Sequence, residues 1–395
     1  MTAPQIKGPQ IKGPQIKGWC PGALRPMLSG DGWVVRVRPP LGRLTQTQAA
    51  GIADLAARHG NGLIDLSSRA NIQIRGVTEA AHPALIDGLR ALSLTDADAA
   101  TEARRNIVMT PFWADGCDSH RIGADLARLL AAPDAPDLPG KFGFAVDAGD
   151  TPALRGTTAD IVIERGAGGL ILRADGAAGG RLVTAETAAA DAILLARWFL
   201  ASGGAQDGRG RMARHLAAGA VLPQGFSHPF TAAAPVARPG RHPAGWLAAL
   251  AFGQCDAATL AALAALGPLR TTPWRMLLIE GLTACPDLPG LIHHADDPLL
   301  RVIACTGAPA CPQALQATRP LARRLAPHLP SGVILHVSGC AKGCAHPGPA
   351  TVTLVGQPGG WGLVRGGTAA GTAMSLPPGP LFPALLTGTT HAPQL

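Results

Sequence analysis

Four of the eight cysteines form two pairs, Cys305 with Cys311 and Cys340 with Cys344. Each pair begins just after an apolar run that predicts a strand, Leu300 to Ala304 and Val333 to Val337, so two strand ends can bring all four to one point. The connecting loops are rich in Gly and Pro, as in Thr306-Gly307-Ala308-Pro309 and at Gly339, Gly343 and Pro347. Such loops let thiolates wrap an inorganic cluster while backbone amides face its sulfides, and four cysteine ligands are what a [4Fe–4S] cluster requires. Structural zinc is the competing assignment; it prefers pairs about two to four apart, and the spacer of the first pair fits it poorly. Cys20, Cys117, Cys255 and Cys285 are scattered and are read as structural thiols, with Cys20 the exception because it adjoins the N-terminal repeats.

Positive charge is written almost wholly as arginine, with 29 Arg against 5 Lys. Lys7, Lys12 and Lys17 belong to three copies of Pro-Gln-Ile-Lys-Gly, which leaves Lys141 and Lys342 in the remainder. A compact ammonium and a planar guanidinium are not interchangeable near an anion, so both lysines are functional candidates, with chance survival as the alternative. In the segment Arg69 to Arg75, Arg69, Asn71, Gln73 and Arg75 alternate with apolar residues and share one predicted strand face. Arg36 and Arg38 alternate in the same way with Trp33, Val35 and Val37. Fork-shaped donors on a rigid sheet suit a ligand with several carboxylates; a solvated sheet face is the plainer alternative.

The elements that must position these residues follow a mixed α+β pattern. Thr45 with Gln48 makes a capping box, Ile52 and Leu55 carry a buried stripe, and Gly60 stops the helix. A weaker copy follows at an offset of about 205 residues: a strand at Trp246 to Phe252, a helix capped by Asp256, and a strand at Trp274 to Leu282. There Ile279-Glu280-Gly281-Leu282 parallels Ile74-Arg75-Gly76-Val77, and the polar face has become apolar. Further strands are expected at Asn106 to Thr110, Phe142 to Val146, Ile161 to Glu164 and Leu170 to Arg173, with helices after Thr184 and after Pro312.

Composition narrows the function classes. The chain has 395 residues, 47% hydrophobic and 15% charged, which excludes wholesale disorder. Of its net charge of +8, three units sit in the pentapeptide array, and no Lys/Arg block or Tyr is present, so nucleic acid is not expected as a partner. No stretch approaches the roughly 18 uninterrupted apolar residues of a membrane span, and a cytoplasmic enzyme with reduced thiols is expected.

The spacing Cys305-x5-Cys311 and Cys340-x3-Cys344, with Pro312, His346 and Pro347 around it, resembles the cluster motif of the sirohaem-dependent sulfite and nitrite reductases. Within that family, Trp19-Cys20-Pro21-Gly22, Ser67-Ser68-Arg69-Ala70-Asn71-Ile72-Gln73-Ile74-Arg75 and Leu138-Pro139-Gly140-Lys141-Phe142-Gly143-Phe144 are similar to the precorrin-3B synthases. The resemblance implies a twofold-repeated architecture: a tail over 1–18, ferredoxin-like half-domains over 19–95 and 226–295, and α+β domains over 96–225 and 296–395, the last binding the cluster. It further implies that Arg69, Arg105 and Lys141 are catalytic and that Asn106 contacts substrate, while the strand faces themselves point to Arg36, Arg38, Asn71, Gln73 and Arg75 as substrate contacts, with Lys342 added as one of the two lysines outside the repeats. Gly143 departs from the reductases, which carry a second Lys there, and this argues against simple reduction of sulfite or nitrite on sirohaem, the alternative activity.

The implied reaction is oxygen-dependent hydroxylation of the tetrapyrrole precorrin-3A at C20, with closure of a γ-lactone, in cobalamin biosynthesis. The implied cofactors are the [4Fe–4S] cluster and a mononuclear non-haem iron. Such irons are often held by two His and a carboxylate. His120 near Asp118, His293-His294 near Asp296 and His346 beside Cys344 form no compact pattern of that kind and are read as surface or capping residues. No G-x-G-x-x-G fingerprint opens a helix after a predicted strand, so electrons are expected from an external donor, a NADH-linked reductase or a ferredoxin.

Overall fold

A computed structural model describes residues 21–376, so the pentapeptide array, Cys20 and its neighbour Trp19 lie outside the described residues. Among the described residues no helix is long and apolar enough to cross a membrane. The chain separates into two compact units that meet in sequence at Asp297 and Pro298.

The first unit contains two antiparallel sheets that exchange strands. One orders Met27–Ser29, Gly32–Val37, Ile72–Val77, Leu63–Leu66 and then Gln254–Asp256; the other orders Gly240–His242, Gly245–Leu250, Met276–Glu280, Leu269–Thr271 and then Arg43–Leu44. Each half of the duplication thus lends its short strand to the other half's sheet, pairing Cys255 with Ile64 and Leu44 with Leu269. The copies agree down to unusual backbone: positive φ recurs at Leu41 and Phe252, at Ala70 and Arg275, and at Gly76 and Gly281.

Local chemistry accounts for the helices between these strands. In Gln46–His59 the Thr45 hydroxyl accepts from the Gln48 N–H and the Gln48 side chain accepts from the Thr45 N–H. At its end the chain passes so close to strand Ile72–Val77 that a Cβ on Gly60 would lie 2.5 Å from the Arg75 carbonyl. Its copy, Ala257–Leu266, is capped by Asp256, whose carboxylate accepts from the Thr259 N–H at 2.7 Å. Ile52, Leu55, Leu260 and Leu263 join one core with both sheets.

Three expectations need correction. The strand foreseen from Arg69 begins only at Ile72, because the Ser67 hydroxyl accepts the N–H groups of Arg69 and Asn71 and Ala70 turns at φ +55°. Arg69 and Asn71 therefore leave the strand face. The strand from Trp246 stops at Leu250, before a 3-10 turn at Ala251–Gly253. Pro312 does not open the helix that follows it; Ala314 and Leu315 instead donate to the carbonyls of Cys311 and Gly339, and the helix is Thr318–Leu325.

The third sheet of the first unit orders Arg181–Val183, Gly169–Ala174, Ile161–Gly166, Phe144–Asp147 and Ile107–Met109, the last three mutually parallel. Helix Asp118–Ala131 connects its first two strands in sequence. The second unit repeats this plan with Val302–Ala304, Leu335–Ser338, Ala350–Gln357, Gly360–Gly367 and Met374–Ser375, and helix Thr318–Leu325 in the connecting place. Parallel strands buried on both faces read as continuous apolar runs, as Leu335 to Val337 and Phe144 to Val146 nearly do. The duplication thus extends past the strand-exchanged sheets into a second kind of domain.

Candidate functional site

In the second unit the parallel strands Val302–Ala304 and Leu335–Ser338 run in register, with Ala304 opposite Val337, so both end at the same edge. The ladder continues one step as Cys305 N–H donates to the Val337 carbonyl. Cys305 and Cys340 are delivered side by side. The Gly339 N–H donates to Cys305 Sγ at 3.2 Å, the Thr318 hydroxyl to the Cys305 carbonyl at 2.6 Å, and the Ser338 hydroxyl to the Cys340 carbonyl at 2.7 Å. A Cβ on Gly339 would fall 2.6 Å from that of Ala314, so only glycine brings this amide so near the thiols.

The Cys344 thiol is raised above its usual value, by desolvation first and then by Cys305, with Cys340 and Cys311 adding and Lys342 opposing. Cys344 keeps solvent exposure. Desolvation leads this rise, and the contributions of Cys305, Cys340 and Cys311 put Cys344 within electrostatic reach of the other three. Among the described residues no three His, Cys, Asp or Glu side chains close on a point fit for a single metal ion. A cube attaches its thiolates at four separate corners, and the set, with an amide already on one sulfur, fits that group.

The remaining cysteines differ. Cys255 is buried in the core and its thiol is pushed up to about 12, which makes it inert. Cys285 is exposed with its sulfur 3.1 Å from His293 Nδ1. His120 accepts from the Gly116 N–H and stacks on Trp113, and His346 contacts the Pro349 carbonyl, both structural roles.

In the first unit the foreseen basic residues fall into three groups. Arg36 donates to Gln73, its cross-strand partner, at 2.8 Å. Arg75, buried, is clamped by Asp31 at 2.7 Å and Asp65 at 3.0 Å. Burial opposes its charge, and the two carboxylates outweigh burial and hold the guanidinium above its ordinary range. The expected row of open donors is thus half occupied by the protein's own acids. Arg38 pairs with buried Glu102 at 3.2 Å, and Arg105 makes a two-pronged contact with Asp96 while donating to the Arg38 carbonyl. Arg38 and Arg105 border an apolar cavity of about 310 Å³ that includes Leu94 and Met109.

The third group gathers around Lys141. Arg69 donates to the Lys141 carbonyl at 2.7 Å, Asn106 to the Phe142 carbonyl at 2.9 Å, and the Gly143 N–H to Asp160 at 3.0 Å. A Cβ at Gly143 would meet Asn106 Nδ2 at 3.0 Å, so the second lysine of the reductases has little room here. Lys141 itself is half-buried and has no carboxylate partner among the described residues. Lys342 lies in the other unit, among the thiols.

Sequence reading missed a polar cavity of about 470 Å³ in the first unit, lined by Arg155, Arg173, Arg211, Arg214, Thr157 and Asp175. Buried Glu164 accepts from both Arg155 and Arg173 at 3.1 Å, and Asp160 accepts from Arg211 at 2.8 Å. The ring of Phe230 lies under Arg155 and Arg173 at 5.7 and 5.6 Å. The Asp175 carboxyl is pushed above its usual range by burial and then by Asp160. Arg211 and Arg214, three residues apart beside a helix start, were the available signal.

Residues 25–92 match the nitrite/sulfite reductase ferredoxin-like half domain. A solved structure, the NirA protein of Mycobacterium tuberculosis, superposes with a TM-score of 0.60 over 87% of this chain and 77% of that one; at 18% identity this shows the fold. The chain is similar over 91 residues to a chloroplastic ferredoxin–nitrite reductase of Zea mays, at 37% identity, covering 23% of this chain and 16% of that protein. Over 391 residues it is 32% identical to a precorrin-3B synthase of Sinorhizobium sp, covering 90% of this chain and 84% of the relative. With a duplicated reductase-like fold and a full-length match of that kind, the chain is an oxidoreductase belonging to the precorrin-3B synthase family.

Proposed function

We propose that the chain converts precorrin-3A to precorrin-3B, by O2-dependent hydroxylation at C20 with closure of an acetate arm to a γ-lactone. One oxygen atom enters the ring, the other leaves as water, and two electrons come from an external donor, a NADH-linked reductase or a ferredoxin. The observation that carries this reading is that one chain combines cysteine loops meeting at adjacent strand ends with an arginine-lined cavity suited to a polycarboxylate ring. Cys305, Cys311, Cys340 and Cys344 would hold the [4Fe–4S] cluster, which when bound takes up and passes on single electrons. For the mononuclear non-haem iron the described residues offer no matching ligand set.

The chain's own residues bind and orient. Arg155, Arg173, Arg211 and Arg214 receive acetate and propionate arms through paired N–H donors, Glu164 and Asp160 fixing the forks in place. Arg69 and Asn106 pin the segment carrying Lys141, whose unpaired ammonium steadies negative charge at the reacting edge. Replacing Lys141 by Met is expected to lower turnover about 10- to 100-fold. Iron content should stay unchanged, and an unchanged rate would remove Lys141 from the site.

Asp175 adds a pH dependence. Its raised carboxyl stays neutral to higher pH than usual, so the cavity gains net positive charge as pH falls through that range. Binding of a polycarboxylate should tighten accordingly, and Asp175→Asn should remove this step while strengthening binding near neutral pH by about fivefold, near 1 kcal/mol. Titration calorimetry of precorrin-3A at several pH values reads both effects.

The direct test of the reaction is anaerobic incubation with precorrin-3A, admission of 18O-labelled O2, and mass analysis. One labelled oxygen in the ring is expected; consumption of sulfite or nitrite without ring oxidation would contradict the proposal.

A further inference from the structure

Strand Leu335–Ser338 carries a side chain at odds with its surroundings. Side chains alternate along a strand, so His336 and Ser338 share one face. Ser338 reaches the cysteine loop by donating to the Cys340 carbonyl, and His336 Cε1 lies 3.8 Å from where a Cβ on Gly343 would be, between Cys340 and Cys344. Both residues therefore face the loop that bears two of the thiols. His336 is fully buried, and neither of its ring nitrogens has a hydrogen-bond partner. Its nearest ring is that of His346, edge-on at 5.6 Å.

The strand's own neighbours offer nothing. Across the sheet His336 lies opposite Ile303 and Thr353, and the Thr353 hydroxyl already donates to the Gly367 carbonyl. Burial, followed by His346, lowers the imidazole to about 4, so near neutral pH it carries one N–H and one bare nitrogen. A buried polar group left unpaired is costly, and an aliphatic side chain would fill the same space without that cost.

We propose that His336 is a positioning residue for the iron–sulfur cluster, its ring N–H donating to a sulfur of the cube seated on Cys305, Cys311, Cys340 and Cys344. The inference rests on the reading of those cysteines as cluster ligands. It adds a side-chain donor to the Gly339 amide that already reaches Cys305 Sγ. Hydrogen bonds to cluster sulfurs favour the more negative, reduced state and so raise the reduction potential.

The test uses the full chain, purified anaerobically, as parent, His336→Leu and His336→Gln. Iron and sulfide are quantified, the midpoint potential is taken from an EPR-monitored redox titration, and imidazole coupling to the reduced cluster is read by pulsed EPR with 15N-histidine labelling. The parent should show nitrogen coupling that His336→Leu lacks. In His336→Leu the reduced-to-oxidised ratio at a fixed potential should fall about tenfold, close to 59 mV for one electron. His336→Gln, which keeps an N–H, should recover most of it. A Leu variant with parental iron content and potential would overturn the inference. If that variant loses iron, the coupling in the parent decides: its presence supports the donor and its absence refutes it. A parent without iron and sulfide would instead overturn the cluster reading, and the inference with it.

Discussion

Cys340→Ser is expected to abolish the iron–sulfur signal of the chain, while Cys255→Ala leaves iron and sulfide at the parental level. The contrast follows from placement. Cys340 leaves the end of a parallel strand beside Cys305, its carbonyl fixed by Ser338 and its loop closed by Gly343, whereas Cys255 points into the core with its thiol pushed up to about 12. A serine hydroxyl is far harder to deprotonate than a thiol, and a cube deprived of one of four protein ligands loses its grip on the chain. Cys255→Ala removes one buried sulfur and should cost only about 1 to 2 kcal/mol of stability, read by chemical denaturation. Equal iron content in the two variants would contradict the ligand assignment.

The second large effect concerns Arg75. Its side chain is 5% exposed and is held between Asp31 and Asp65, the latter also accepting from Gln254 on the exchanged strand. Arg75→Leu leaves two carboxylates near one another without their cation, and removing one member of a buried ion cluster costs about 3 to 5 kcal/mol. The variant should unfold at markedly lower denaturant, and adding Asp65→Asn should recover part of the loss. What remains folded should bind the tetrapyrrole with near-parental affinity, because this guanidinium is already committed to the protein. A variant of parental stability and weakened ligand binding would return Arg75 to the substrate-binding set.

The balance between legible and hidden features has a physical pattern. The Thr45–Gln48 capping box, the Asp256 cap and the duplicated strands depend on interactions within a few residues, and these were readable one segment at a time. The cysteine constellation was readable because each pair directly follows a strand. The exchange of Arg43–Leu44 and Gln254–Asp256 was not, because strands of two or three residues have no period to detect. Neither were the acids that occupy Arg75 and Arg38. Asp31 and Glu102 reach them from other segments of the chain, and alternation along a strand says nothing of what faces it.

The arginine cavity draws on a loop, a strand and a helix start separated by up to 59 residues, so no local window contained it. His336 passed as one member of a buried strand; only its unpaired nitrogens distinguish it.

The central claim, that Cys305, Cys311, Cys340 and Cys344 hold an iron–sulfur cube, is tested most directly by one preparation. Anaerobically purified parental chain should contain four iron and four sulfide per chain in its cluster, with broad charge-transfer absorption and no sharp visible bands. A colourless protein holding zinc would contradict it.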